Sequence, residues 1–368
     1  MIINKFSFYK RFNCYNSRKY RSYIIESTIK FSQFESTNVR RVKRVKEFLD
    51  ENQLDLSSDI ELFVVAMEEN KMIACGGLSG KVLKCIAVAD ERRGEGIILK
   101  VMTQLLNAAY NRNQQELFLF STPKNIKFFK DCGFKLIEEC DGEVILMENS
   151  KNIENYQKEL TKLKKNGDVI GTIVMNANPF TLGHLYLVEE ASKRSDWLHL
   201  FVVREDASAF KFADRIKLIR QGTAHIKNIT IHEGSDYIIS KATFPTYFIK
   251  DKGMVDELHA KLDLNVFRNQ LAPYLGITHR FVGTEPYCKV TNNYNKNMKK
   301  ILEDKNGKSE PIEVVEIERI EFNEQAISAS RVRKLLKEKS YEELRSIVPP
   351  STYEFLMDNT RNDDDSYK

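Results

Sequence analysis

A chain of 368 residues has room for two or three domains of ordinary size, and its 42% hydrophobic content, with 22 Phe and 15 Tyr, is too rich for a mainly disordered polymer. The 57 basic and 52 acidic side chains leave a net charge of only +5, which excludes a polybasic nucleic-acid binder but leaves room for a local anion site made of a few aimed donors. No run approaches the roughly 18 apolar residues of a membrane-spanning helix, and the six cysteines form neither a CxxC pair nor a Cys/His cluster, so a reducing cytoplasm is the expected compartment.

Lys5, Lys10, Arg11, Arg18, Lys19 and Arg21 precede the first acid, Glu26. Without a long apolar core or a small-residue cleavage site, residues 1–38 read as a basic extension or a first strand rather than a targeting segment. Val39, Val42, Val45, Phe48 and Leu49 are then spaced for a helix with a basic outer face. Two apolar stretches flank the polar turn 68–71 as in a hairpin. A strand is expected over 82–88, a turn over 89–96, and a helix from Ile97 with Val101, Leu105 and Ala109 on one side. Strands at 117–120 and 144–147 bracket a helix that ends at Gly133. Together, 39–149 predict one α+β unit. Residues 150–167 are strongly polar, with Ile153, Tyr156, Leu160 and Leu163 at helical spacing, and read as a linker helix at a domain boundary.

From 168 to 356 the pattern changes. Apolar runs at 169–175, 197–203, 226–231 and 312–317 alternate with helices near 183–193 and 215–223, and another helix follows Ser328. That alternation predicts a parallel sheet with helices on both faces. The polar segment 357–368 is expected to be a flexible tail.

The most informative stretch is GTIVMNANPFTLGHLYLVEEA, 171–191. A strand runs into Asn178, and Thr181, Gly183 and His184 open a helix, which is where open α/β sheets bind ligands and where a helix terminus favours phosphate. Gly183 would allow close backbone approach, and His184 could donate a ring hydrogen bond to a phosphate oxygen; a capping or core histidine is the simpler alternative. Ser328 and Ser330, with Arg331 and Arg333 behind them, could cradle β- and γ-phosphates, or they could simply cap a helix. Arg204 and Asp206 follow the 197–203 strand at the same expected edge, where surface ion pairing is an equally simple role. In the first unit, Arg92, Arg93, Gly94, Glu95 and Gly96 precede a helix and could present N–H groups to a pyrophosphate; a plain hairpin-to-helix connection is the alternative.

Over most of residues 40–350 the chain resembles the citrate lyase ligase family. Thr181 and His184 resemble the T/HxGH motif of adenylyltransferase-type nucleotidyltransferases, and Ile327, Ser328, Ser330 and Arg333 resemble their isoleucine-serine-x-serine/threonine-x-x-arginine motif. Asn178 stands where many relatives carry aspartate. The segments HLFVVREDASAFKFADR, YIISKATFPTYFIK and FVGTEPYCKVTNNYN are similar to the ligases in particular. The 92–96 turn resembles the CoA-pyrophosphate loop of the GNAT acyltransferase fold, as FFKDCGF (128–134) resembles that fold's later signature. Two departures stand out: Glu91 replaces the usual glutamine or arginine, and Phe129 occupies the place of a tyrosine acid, which argues against amine acetylation.

The resemblance implies an N-terminal GNAT-like α+β domain followed by a Rossmann-like nucleotidyltransferase domain with a parallel sheet. It implies ATP-dependent conversion of acetate to acetyl adenylate, with Mg²⁺ carried largely by the nucleotide phosphates. The acceptor it implies is the thiol of a dephospho-CoA-like prosthetic group on the citrate lyase acyl carrier subunit. On that basis Thr181, His184 and Arg333 are catalytic, while Asn178, Gly183, Arg204, Ser328, Ser330 and Arg331 hold ATP. Arg92, Arg93, Gly94 and Gly96 hold the acceptor pyrophosphate. An adenylyltransferase acting on a phosphopantetheine-like molecule and a non-catalytic nucleotide- or carrier-binding protein are the alternatives.

Overall fold

Short apolar runs cannot bury themselves singly, and in this computed structural model they are gathered into two sheets. The structure describes residues 29–204, 209–240, 257–284 and 289–365. The basic stretch before residue 29 lies outside them.

The first sheet contains β1 (Lys30–Glu35), β2 (Leu62–Glu68), β3 (Lys71–Ser79), β4 (Val82–Val88), β5 (Phe118–Ser121), β6 (Lys135–Cys140) and β7 (Val144–Glu148), in the order β1-β2-β3-β4-β5-β7-β6. Every neighbour is antiparallel except β4 and β5, which run parallel. Helix α1 (Val39–Glu51) buries Val45, Phe48 and Leu49 against one face, as its spacing requires. Helix α2 (Ile97–Tyr110) buries Val101, Met102 and Leu105 against the other, and the short α3 (Ile126–Asp131) leads into β6. The first turn of α1 contains no acid, and Arg40 and Arg41 stand there at the positive end of the helix dipole. Arg40 is exposed, and a cation so placed costs about 0.3–1 kcal/mol.

The linker helix α4 (Asn152–Lys162) is more than a polar spacer. Leu160 is buried, the Gln157 amide donates to the Gln270 carbonyl at 3.0 Å, and Tyr156 stacks on Tyr237. Its single apolar stripe suffices because it has packing partners on both sides. An apolar cluster runs continuously from Phe118 and Leu146 of the first sheet to Phe201, Leu264 and Phe267 of the second half. Polar contacts cross the same boundary: Lys81 with Asp236 at 2.7 Å and Lys308 with Glu138 at 2.6 Å.

The second sheet is all parallel: β8 (Ile170–Met175), β9 (Trp197–Val202), β10 (Ile229–His232), β11 (His279–Gly283) and β12 (Glu313–Ile317), ordered β10-β9-β8-β11-β12. Helices α5 (Leu182–Lys193) and α6 (Phe212–Gly222) follow β8 and β9. Helix α7 (Glu257–Val266), a π turn (Phe267–Leu271) and α8 (Ala272–Leu275) lead to β11, and α9 (Lys289–Leu302) connects it to β12. A hairpin of β13 (Glu321–Phe322) and β14 (Gln325–Ala326) then precedes α10 (Ala329–Lys337), α11 (Tyr341–Arg345) and α12 (Pro350–Asp365). Helix α12 continues through Asp365, into the segment from residue 357 that the sequence suggested as a flexible tail. Buried Thr352 and Leu356 anchor the first turns of α12, and each further residue of a nucleated helix gains a hydrogen bond.

Strand order reverses between β8 and β11, and their pairing is brief. Only His279 with Gly171 and Arg280 with Thr172 are in register. On their outer sides β8 stays paired with β9 to Met175, and β11 with β12 to Gly283. The two strands therefore part toward their carboxyl ends, opening a crevice at the point where such sheets bind ligands. In the first sheet β4 and β5 part in the same way after Val82–Phe118 and Leu83–Leu119. Among the described residues no helix is long and apolar enough to cross a membrane.

The Tyr237 hydroxyl donates to the Glu148 carboxylate at 2.6 Å between the two halves, and both residues are buried. Tyr237→Phe is expected to cost about 1–3 kcal/mol in urea unfolding, because it removes one donor from a buried carboxylate. An unchanged unfolding midpoint would show that this contact carries no stability.

Candidate functional site

Where β8 ends, Ala177 takes a left-handed φ of 47° and the chain turns into α5. Thr181 caps that helix: its hydroxyl accepts the His184 N–H at 3.3 Å, while His184 Nδ1 accepts the Thr181 N–H at 3.1 Å. A backbone N–H can only donate, so Nδ1 is an acceptor and the neutral ring carries its proton on Nε2. Phe180 stacks beside the imidazole, with ring centres 5.9 Å apart. Burial, and then the positive charge of Arg319, hold the His184 imidazolium down to about 4. At neutral pH the site therefore presents an uncharged Nε2–H donor.

The two sequence motifs meet at Gly183. A Cβ there would stand 2.7 Å from the Ile327 carbonyl oxygen, so the start of α5 lies backbone against backbone on the segment leading to Ser328. The close approach that this glycine permits is to protein, where the sequence suggested phosphate. Ser328 caps α10 by accepting the Arg331 N–H at 3.2 Å. Arg333 bridges the motifs, donating to the Asn178 carbonyl at 2.5 Å and to the Ser330 hydroxyl at 3.0 Å. The Asn178 side-chain oxygen accepts the Phe210 N–H at 3.0 Å. Arg331 is engaged elsewhere: two of its nitrogens meet Glu343, and the third meets the carbonyls of Phe322 at 2.8 Å and Gln325 at 3.0 Å. Arg204 is exposed just beyond β9, and Asp206 lies outside the described residues.

Several residues that the sequence reading missed complete the site. Arg215 of α6 is wholly buried and donates to the Asn176 and Val203 carbonyls, both at 2.8 Å, and to Phe210 O at 3.1 Å. It ties together the carboxyl ends of β8 and β9. A cleft of about 750 Å³ at the carboxyl ends of β11 and β12 is lined by Thr284, Asn295, Lys296, Lys299, Glu318 and Arg319, among others. Its volume is in the range of small-molecule sites. Arg319 packs over Gly283, and Ala326, which also lines the cleft, precedes the Ile327 that lies against Gly183, so the cleft adjoins the T-x-G-H turn. The available signal was a cation two residues beyond the expected 312–317 strand. Among the described residues no group of three His, Cys, Asp or Glu could hold a metal ion by itself.

In the first half, Gly94 and Gly96 take φ values of 87° and 73°, and Gly96 caps α2 without a side-chain hydrogen bond. Arg92 is paired with Glu68 at 3.2 Å and Glu95 at 3.1 Å, and Arg93 with Asp90 at 2.5 Å. The loop therefore presents glycine backbone flanked by compensated charge, where the sequence suggested electropositive guanidinium groups. Phe129 is buried, edge-on to Phe128 and Phe134.

A parallel sheet with a T-x-G-H turn at its switch point and a serine-capped helix locked against it defines a nucleotidyltransferase-type domain, here joined to an acyltransferase-like one. Residues 170–356 match the model of the citrate lyase ligase C-terminal domain, and residues 26–134 match the acetyltransferase (GNAT) family. The chain belongs to the citrate lyase ligase family. It is 49% identical over 318 residues to the citrate (pro-3S)-lyase ligase of Klebsiella pneumoniae, covering 86% of this chain and 93% of that one. Identity to the same-named protein of Haemophilus influenzae is 45% over 329 residues (88% and 98% covered), and to that of Escherichia coli 43% over 337 residues (90% and 96% covered).

The histidines make stability depend on pH. In the folded chain His184 protonates only near 4, and in the unfolded chain near 6.5, so between these values the unfolded chain binds a proton that the folded ring refuses. Stability is therefore complete above about 6.5 and declines as pH falls toward 4. His199 and His232 act in the same direction: their rings meet at 2.9 Å within the sheet, and burial holds them down to about 4 and about 3. The urea midpoint is expected to drop across this window, and His184→Asn should shrink the drop. A midpoint constant from pH 7 to pH 4 would contradict the assignment of these rings as neutral.

Proposed function

We propose that this chain is an ATP-dependent acid–thiol ligase that activates acetate as acetyl adenylate and acetylates the thiol prosthetic group of the citrate lyase acyl carrier subunit. The observation that carries this reading is the lock between the two nucleotidyl motifs, through Gly183 on Ile327 and Arg333 on Asn178, in a chain of this family. The domains divide the work as 39–149, the α4 linker within 150–167, and 168–356.

ATP occupies the crevice and cleft beyond β8, β11 and β12, with its phosphates at the start of α5 and α10. An acetate oxygen attacks the α-phosphorus and pyrophosphate leaves. Acetate is already ionised, so no protein nucleophile is required; catalysis consists of positioning and charge neutralisation. His184 Nε2–H donates to the phosphate oxygens as charge develops on them, with Thr181 fixing the tautomer from the far side of the ring. Arg333, held by Asn178 and Ser330, places its cation beside the same oxygens, while Ser328, Ser330 and Gly183 shape the cradle. Magnesium, carried by the nucleotide phosphates and water, supplies further neutralisation when bound. The acceptor sulfur then attacks the carbonyl carbon of the adenylate, expelling AMP and losing its proton to solvent. The split between β4 and β5 suits the pantetheine arm, and the Gly94–Gly96 backbone suits its pyrophosphate. The cytoplasm suits this chemistry.

Incubation with ATP, labelled acetate and the thiol-form carrier should yield AMP, pyrophosphate and a thioester. AMP joined to a phosphopantetheine-like acceptor would favour an adenylyltransferase, and unconsumed ATP would leave only a binding protein. His184→Ala should reduce acetate-dependent pyrophosphate exchange by about 10²–10⁴-fold with the circular dichroism preserved. Arg92→Ala with Arg93→Ala should leave that exchange largely intact yet raise the KM for the carrier. Glu68, Asp90 and Glu95 would then face the pyrophosphate uncompensated. Loss of both half-reactions alike in a folded double variant would remove the division of labour.

A further inference from the structure

We propose that the amino-terminal half of α1 is the docking surface for an acidic face of the protein bearing the acceptor thiol. This goes a step beyond the ligase reading and rests on it. Residues 39–46 contain Arg40, Arg41, Lys43, Arg44 and Lys46 and no acid. These five charges equal the net +5 of the chain, so the remaining residues, with 52 basic and 52 acidic side chains, are balanced.

The fold does little to neutralise this cluster. Lys46 pairs with Asp50 at 2.6 Å. Arg41 donates to the Ser32 hydroxyl at 2.6 Å and lies over the Phe34 ring, and Arg44 donates to the Asn70 carbonyl at 2.5 Å. Those contacts fix direction without cancelling charge. Arg40 and Lys43 are exposed and, among the described residues, have no ion pair. Cations in the first turn oppose the helix dipole, and among the described residues no acid pairs with Arg40 to offset that cost. An external anionic partner would.

The location fits a carrier of the acceptor arm. The buried side of α1 packs with Ala87 and Ala89, where β4 runs into the glycine loop. Arg44 holds the turn at Asn70, and the next residue, Lys71, pairs with Glu91 of that loop at 2.9 Å. The basic surface thus borders the mouth through which the arm would enter, where a protein tethered to the arm must come to rest. A membrane surface fits less well. The apolar stripe of α1 is spent on the sheet, and Val39, 78% exposed, is its only exposed large hydrophobic residue.

The test uses the full chain and an Arg40→Glu, Lys43→Glu double variant. Arg40 stands in the first turn, where an acid is favourable, and Lys43 is exposed, so the fold should survive the exchange, and a thermal melt of the double variant separates lost binding from unfolding. Binding of the thiol-blocked citrate lyase acyl carrier subunit should weaken at least about tenfold and lose most of its salt dependence. Acetylation of free dephospho-CoA and acetate-dependent pyrophosphate exchange should not change. Equal carrier affinity in the two proteins, wild-type affinity indifferent to salt, or wild-type binding to phosphatidylserine vesicles without binding to the carrier would each overturn the proposal. Absence of pyrophosphate exchange in the wild-type protein would instead refute the ligase reading, while the binding arm still judges the docking surface.

Discussion

Both candidate sites depend on one backbone constraint: two parallel neighbours that pair for two residues and then part. β8 and β11 share only His279–Gly171 and Arg280–Thr172, and β4 and β5 only Val82–Phe118 and Leu83–Leu119. A strand that abandons a neighbour inside a protein must satisfy its peptide groups elsewhere. In the second sheet the outer partners hold the far edges, β9 on β8 to Met175 and β12 on β11 to Gly283, and leave the inner edges turned to the crevice. The crevice can therefore stay open without the strands fraying. What lines it follows from connectivity, because the chain leaving β8 must enter α5 and the chain leaving β12 must pass Arg319 before reaching α10.

The distant motifs are then joined by contacts that involve more backbone than side chain. Gly183 admits the Ile327 carbonyl, Leu182 N–H donates to the Ile347 carbonyl at 3.0 Å, and Arg333 reaches the Asn178 carbonyl. Such an arrangement fixes the spacing of His184 and Ser330 with little dependence on rotamer choice. It also explains why His184 can remain neutral near guanidinium groups. Its Nδ1 is already occupied by an N–H donor, and burial and the Arg319 charge both oppose a second proton on the ring.

The parallel sheet and both motifs were legible in the sequence because β8, β9 and β12 are apolar runs and T-x-G-H and I-S-x-S are local patterns. β11 was not, since His279 and Arg280 interrupt its apolar character. Arg280 is nevertheless buried, its guanidinium 4.7 Å from the Phe267 ring centre. The buried Arg215 hid for a similar reason: one cation in an amphipathic helix looks solvated until the carbonyls that receive it are placed. β10 starts at Ile229, three residues later than the apolar run suggested, because residues 226–228 lead up to the strand rather than joining it. The motifs likewise show which residues are polar but not what they touch. The motif resemblance set Arg333 apart from Arg331, but the contacts that distinguish them, Glu343 and the 321–326 hairpin holding Arg331 and the Asn178 carbonyl receiving Arg333, needed the fold.

The boundary between the halves bears on how the two sites cooperate. Domains joined by a solvated polar linker move by default, whereas a sizeable apolar interface resists such motion. Here the apparent linker carries Tyr156 and Leu160 into a cluster continuous with both sheets, and Glu148 receives the Tyr237 hydroxyl inside it. Separating the halves would expose that cluster and return a buried carboxylate to water without its donor. Under the proposed function the thiol must nevertheless meet an adenylate formed at the other sheet. The flexible member of the system is then the long prosthetic arm, and the protein's part is to hold two open sheet edges in fixed relation while the arm travels between them.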